Sequence, residues 1–276
     1  MEILQYTFFQ NALLGSILAS IICGFIGTYI VTRRLVLISG GITHASFGGI
    51  GLGVFFGISP ILSAMLFAVA SACGVQWLSH RSDMREDSAI AVFWTFGMSI
   101  GILCCFMTPG FMPDLPSYLF GNILTISSGD LWLLASLTVI VALLFIFWMR
   151  PIVSIAFDSE FARSQHLPVQ ALEYLMMALI AMTIVSTLRM VGVVLAMSLL
   201  TIPQLTANLF TYSFRRMIGL SILFGSIDCI SGLGVSYWLN VPSGASIIFV
   251  SILIYAMMKA IKSIVLKFIN REEAVN

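Results

Sequence analysis

Nine stretches of about twenty apolar residues, parted by short segments that hold nearly all the charge, leave this chain few ways to fold. They lie at 7–31, 38–57, 60–79, 88–108, 130–149, 170–188, 190–210, 215–239 and 244–266. A hydrocarbon layer about 30 Å thick is crossed by roughly 20 apolar residues in a helix. The alternating ten-residue pattern of an outer-membrane barrel is missing. With 59% hydrophobic and 9% charged residues and a mean hydropathy of +1.06, the chain could not cover a water-facing surface. The expectation is an all-α polytopic membrane protein, one domain over 1–276, with eight to ten spans and nine the best count.

The basic residues orient these spans. Lys and Arg gather on cytoplasmic loops, and nine spans beginning outside put Arg33, Arg34, Arg81, Arg85, Arg150, Arg163, Arg215, Arg216, Lys259, Lys262, Lys267 and Arg271 on one side. Arg189 is the one exception among thirteen. A span added or removed would scramble the pattern downstream, so the N-terminus is expected outside and the C-terminus in the cytoplasm. The start "MEILQYTFF" lacks the basic region of a cleavable signal, so the first span is expected to be retained. Five cysteines lie in or at the ends of spans without CxxC spacing, which disfavours structural zinc or a disulfide framework. A net charge of +1 disfavours nucleic acid; membrane lipid is the expected surrounding.

Two connecting segments carry information. The external loop 109–129 has no basic residue, and after Pro116 "SYLFGNIL" is read either as a short surface helix or as plain connection. The cytoplasmic loop 150–169 reads "RPIVSIAFDSEFARSQHLPV". Asp158 can cap a short helix, Glu160 suits its N-terminal dipole, Arg163 follows within it, and Leu167-Pro168 limits its end. Phe161 is its apolar anchor. Such a helix is too short to stand alone, so it packs either on a partner below the membrane or on the protein's own helix ends.

Four stretches in order, "GGITHASFGGIGLG", "FDSEFARSQHLPV", "VGVVLAMSLLTIPQLTANL" and "SYWLNVPSGASIIF", make the chain resemble, almost end to end, the permease subunits of bacterial zinc/manganese/iron ABC importers. The resemblance implies a type II ABC-importer-like bundle in the bacterial cytoplasmic membrane. It further implies a homodimer of permeases, two cytoplasmic ATPase subunits, an external metal-binding protein, and a coupling helix at 158–168 seated in the ATPase. The chain contains no GxxxxGK[ST] phosphate loop, so ATP is expected to be used by a partner chain, with no cofactor on this one. The transported ion would be a divalent transition metal, its identity left open.

His44 is the candidate ligand. Gly48 and Gly51 lie within about 40° of it on a helical wheel, and Gly49, Gly53 and Gly57 run down the opposite face. Two glycine faces imply two close neighbours, with the His44 face expected to leave space beside the ring. An ionisable group at this depth tends to face a cavity or the bundle interior, and neutral imidazole is a common ligand for transition metals. The competing reading is a packing histidine bound to a carbonyl. Many members of the resembled family carry an aspartate four residues earlier, where this chain has Gly40. Asp228 is the only carboxylate deep within a predicted span, read as a second metal contact or as a structural hydrogen-bonding group. In span 190–210, Pro203 predicts a kink, with Thr201, Gln204 and Asn208 on one side lining a path or binding helices together. The remaining function classes are a secondary metal transporter or channel and, with Ser236 as nucleophile, an intramembrane enzyme.

Overall fold

The structure, a computed structural model, describes residues 7–82, 84–108 and 126–273. Every regular element among them is helical: α1 Thr7–Thr32, α2 Val36–Phe56, α3 Pro60–Arg81, α4 Glu86–Met107, α5 Ser128–Phe157, α6 Ser159–Ser164, α7 Val169–Leu199, α8 Ile202–Asn208, α9 Phe214–Leu239 and α10 Ser243–Glu273. Nine of the described segments are long and apolar enough to cross a membrane, matching the nine expected spans. The segment "SYLFGNIL" lies outside the described residues.

Local chemistry explains the ends. Pro60 sits in the first turn of α3, where its missing N–H costs nothing. Gly57 closes α2 with φ 66°, a left-handed cap that glycine adopts without strain. It therefore ends the helix and does not extend the Gly49/Gly53 packing ladder. Ser127 and Asp130 form a reciprocal capping box at the start of α5, satisfying two orphan donors. That helix continues to Phe157 through Pro151, with a non-helical residue at Trp148, so it outruns the predicted span 130–149.

The junction between the sixth and seventh spans differs from expectation. Arg189 is no loop residue, since α7 runs through it and the backbone turns at Gly192, with φ 79° and ψ 170°. That region is essentially restricted to glycine. The contacts along α1 show that the chain reverses there: Gly15 faces the Met190 side chain, whereas Gly27, twelve residues on, faces the Leu200 carbonyl and Gln204. The returning limb breaks again at Leu200–Thr201 before α8.

The helices bury one continuous apolar core, with Ile22, Ile26, Phe145, Met176 and Ile180 at under 2% exposure. α1 lies at its centre, packed on α5, α7 and α9, and α2 is clasped between α3 and α4. Hydrogen bonds and ion pairs bring together the ends of α1, α3 and α5 and the starts of α4 and α7, defining a common basic end of the bundle.

Candidate functional site: a half-buried histidine and the polar groups around the bundle

His44 sits near the middle of α2, half-buried. Its Nδ1 lies 2.7 Å from the carbonyl of Gly40. A carbonyl only accepts, so Nδ1 carries the proton and Nε2 keeps its lone pair. The ring stacks on Trp94 of α4, with centroids 4.5 Å apart and planes 24° from parallel. The carbonyl bond of a structural histidine and the free nitrogen of a metal ligand are thus present in the same side chain. Metal-binding histidines are commonly oriented by such a bond from the other ring nitrogen.

The glycines beside His44 do not leave the expected open space. A Cβ on Gly48 would stand 2.6 Å from the Gly97 carbonyl, and one on Gly51 2.6 Å from that of Gly101. Both glycines are in close backbone contact between α2 and α4. The opposite face behaves as expected: Gly49 meets Ser63 and Ala64, and Gly53 meets Pro60 of α3. At Gly40 a Cβ would meet the Met197 side chain, its methyl at 2.9 Å and its sulfur at 3.6 Å.

Asp228 of α9 is 1% exposed. Its Oδ2 accepts a 2.7 Å bond from Ser251 of α10, and Oδ1 has no partner among the described residues. Along the same face Gly225 meets Ser20 and Pro203, and Gly232 meets Ile247. Asp228 therefore faces α10 and the α1–α8 side. No hydrogen bond, ion pair or ring contact among the described residues joins it to His44, and no three acidic, histidine or cysteine side chains among them are grouped to hold a metal.

The span Met190–Asn208 is interrupted at Leu200–Thr201, and Pro203 lies in the first turn of the short helix α8 just after that break. It is tolerated there because it follows the break at Leu200–Thr201. Gln204, fully buried, donates from Nε2 to the Cys23 carbonyl at 2.7 Å and to the Leu199 carbonyl at 3.0 Å. It satisfies a carbonyl that the break orphans and ties α8 to α1. Thr201 is half-buried and Asn208 exposed. Lys262 of α10 donates to the Leu209 carbonyl at the end of α8.

Of the predicted 150–169 loop, residues 150–157 continue α5 and Ser159–Ser164 form α6, which is shorter than the predicted 158–168 because His166 takes a left-handed φ of 57°. Asp158 caps it, accepting from the Phe161 amide at 2.9 Å. Glu160 and Arg163 pair at 3.3 Å on its exposed face. One side is anchored within the chain: Ala162 is fully buried and, with Leu167 beside it, packs among Ile155, Val169 and Leu172. The other side presents Phe161, 57% exposed. A cavity of about 400 Å³ lies where the loop enters α7, lined by Arg163, Leu167, Pro168 and Gln170 among others.

The largest polar cluster escapes the sequence reading. Glu173, in the first turns of α7 and 2% exposed, pairs through Oε1 with Arg33 at 3.0 Å. Its Oε2 accepts from Gln76 and His80 of α3, each at 2.9 Å. Since a carboxylate only accepts, His80 bears its proton on Nε2; its 2.8 Å approach to Gln76 Nε2 follows from two donors converging on one oxygen. Arg33 also reaches Glu86 of α4 at 3.6 Å and donates to the Ile155 carbonyl at 3.0 Å. Burial works against the Arg33 charge, but the acidic groups Tyr29, Glu173 and Glu86 outweigh it and raise its pKa above the ordinary guanidinium value. The available signal was Glu173 itself, an acid inside the predicted span 170–188.

The profile of the ABC 3 transport family matches residues 5–262, which takes in the first eight spans and all but the last three residues of the ninth. The chain belongs to the ABC 3 transport family. It is 38% identical over 261 residues to an uncharacterized membrane protein of Synechocystis, covering 95% of this chain and 93% of that one. It is 35% identical over 256 residues to the manganese transport system membrane protein MntC of Halalkalibacterium halodurans, covering 93% and 88%. Among solved structures, PsaBC from Streptococcus pneumoniae in complex with Fab superposes with a TM-score of 0.81 at 28% identity, covering 92% of each chain. This ABC 3 family chain is thus a multi-pass membrane protein, and α1 to α9, α6 included, lie wholly within the family match.

Proposed function

We propose that this chain is the permease subunit of an ATP-driven importer of a divalent transition-metal ion. Two copies would form the membrane core, with two cytoplasmic ATPase subunits at the basic end and an external metal-binding protein at the other. The observation that carries the reading is the ABC 3 family match along residues 5–262. Manganese, named for the MntC relative, is the first cation to test.

In this reading each part has a role. His44 offers Nε2 to the passing ion, its ring fixed by Gly40 and Trp94. One imidazole with water is a weak site, suited to release. Asp228 works as a tie between α9 and α10 through Ser251. Phe161 docks the ATPase, held outward because Ala162 and Leu167 anchor the opposite side of α6. Hydrolysis of ATP belongs to the partner, so this chain is a transport subunit and not itself an enzyme.

The test is reconstitution of the permease with its ATPase and binding protein in vesicles. Uptake of manganese should require ATP. Phe161→Asp should lower ATPase co-purification about tenfold or more, since an exposed apolar anchor at the centre of a docking site is worth roughly 2 kcal/mol. Uptake that proceeds without ATP would instead favour a secondary transporter or channel.

A further inference from the structure

We infer that Glu173 and Arg33 are positioning residues, the joint that passes motion of the α6 loop to the α2–α4 layer holding His44. This rests on the reading of α6 as the ATPase-docking element. Covalently, the loop is continuous only with α5 and α7. Arg33 grips both of its stems, through the Ile155 carbonyl before Asp158 and through Glu173 after Pro168. The same two charged groups hold the end of α3 through Gln76 and His80 and the start of α4 through Glu86.

Burial makes this joint stiff. Sliding α7 against α3 would leave the buried Glu173 Oε2 without its two donors, Gln76 and His80, an unfavourable state away from water. The ends of α1, α3, α4, α5 and α7 therefore shift together. α2 is clasped by α3 and α4 through the close glycine contacts at Gly48, Gly49, Gly51 and Gly53, so their shift carries His44 with it. Gln76, whose Oε1 has no partner among the described residues, holds a spare acceptor at the joint. Its amide nitrogen donates to Glu173 and lies 2.8 Å from His80 Nε2.

The experiment compares the intact permease–ATPase complex carrying Glu173→Gln, or the neutral pair Arg33→Gln with Glu173→Gln, against wild type. Manganese transported per ATP hydrolysed and nucleotide-dependent amide exchange are both measured. Both variants should keep the ATPase bound while transport per ATP falls about tenfold, within the usual range of inter-site coupling. On adding a non-hydrolysable nucleotide, exchange should change in residues 158–168 of every complex but in residues 76–90 of the wild type only. The neutral pair guards against misfolding, since it leaves no lone buried charge. If that pair transports at the wild-type ratio, or if 76–90 still responds to nucleotide, the joint is merely structural and the inference falls. Failure of the docking reading is distinct, because residues 158–168 would then show no response to nucleotide even in the wild type.

Discussion

At the scale of single residues, His44 decides most. Its proton is committed to Gly40 and its ring to Trp94, so loss of the imidazole removes both a hydrogen bond and a stacking contact along with Nε2. His44→Ala should abolish uptake, yet by itself it confounds ligand and packing. His44→Gln separates them, since glutamine can bond a backbone carbonyl but is a poorer ligand for a transition metal. The expected outcome is a folded, dispersed glutamine variant of near wild-type melting temperature whose manganese uptake drops about a hundredfold, the span of a lost ligand or its orienting partner. Transport equal to wild type would make His44 structural. The histidine was legible in the sequence, because an ionisable group amid glycines in an apolar run is conspicuous. Its tautomer was not, because that depends on which carbonyl the ring meets.

At the scale of elements, run length and cap chemistry carried well. The nine spans follow from hydropathy, and the Asp158 cap with its outward Phe161 follows from the spacing in "FDSEF". What failed was anything requiring the register between helices. The wheel around His44 found both small faces but could not tell a water-filled space from an adjoining backbone, and α4 fills the space. Arg33 and Glu173 meet although 140 positions apart, which no local pattern encodes. Reversal at Gly192 was hidden because the residues on either side are equally apolar. The α2–α4 contact can be checked through stability. Gly48→Val would drive a branched side chain into the Gly97 carbonyl, and overpacking of this kind costs about 1–3 kcal/mol. Melting of the purified protein should fall by several degrees, whereas Gly234→Ala, with nothing within 4 Å of its Cβ, should be neutral or stabilising by up to about 1 kcal/mol, the helix-propensity gain of alanine over glycine. Equal melting of the two would mean that α2 and α4 are not in backbone contact.

At the scale of the whole molecule, the fold sorts its polar groups by end. The joint of Arg33, His80, Glu86 and Glu173, the α6 loop, and the contact of Lys262 with Leu209 all lie where the basic residues gather. The opposite end carries the Ser127–Asp130 capping box and the Gly192 reversal. Such an asymmetry has one favoured orientation, since Lys and Arg near span ends are retained on the cytoplasmic side. Ser128 and Ser164 are both exposed and stand at opposite sides of the single span of α5, on either side of its long apolar run. In a variant whose native cysteines are replaced, Ser164→Cys should react with an impermeant maleimide only in inside-out vesicles. Ser128→Cys should react only in intact spheroplasts. Reaction of both from the same face would break the nine-span alternation at α5. Reaction of both from opposite but exchanged faces would keep the fold and invert it, turning α6 outward, where no ATPase could reach Phe161.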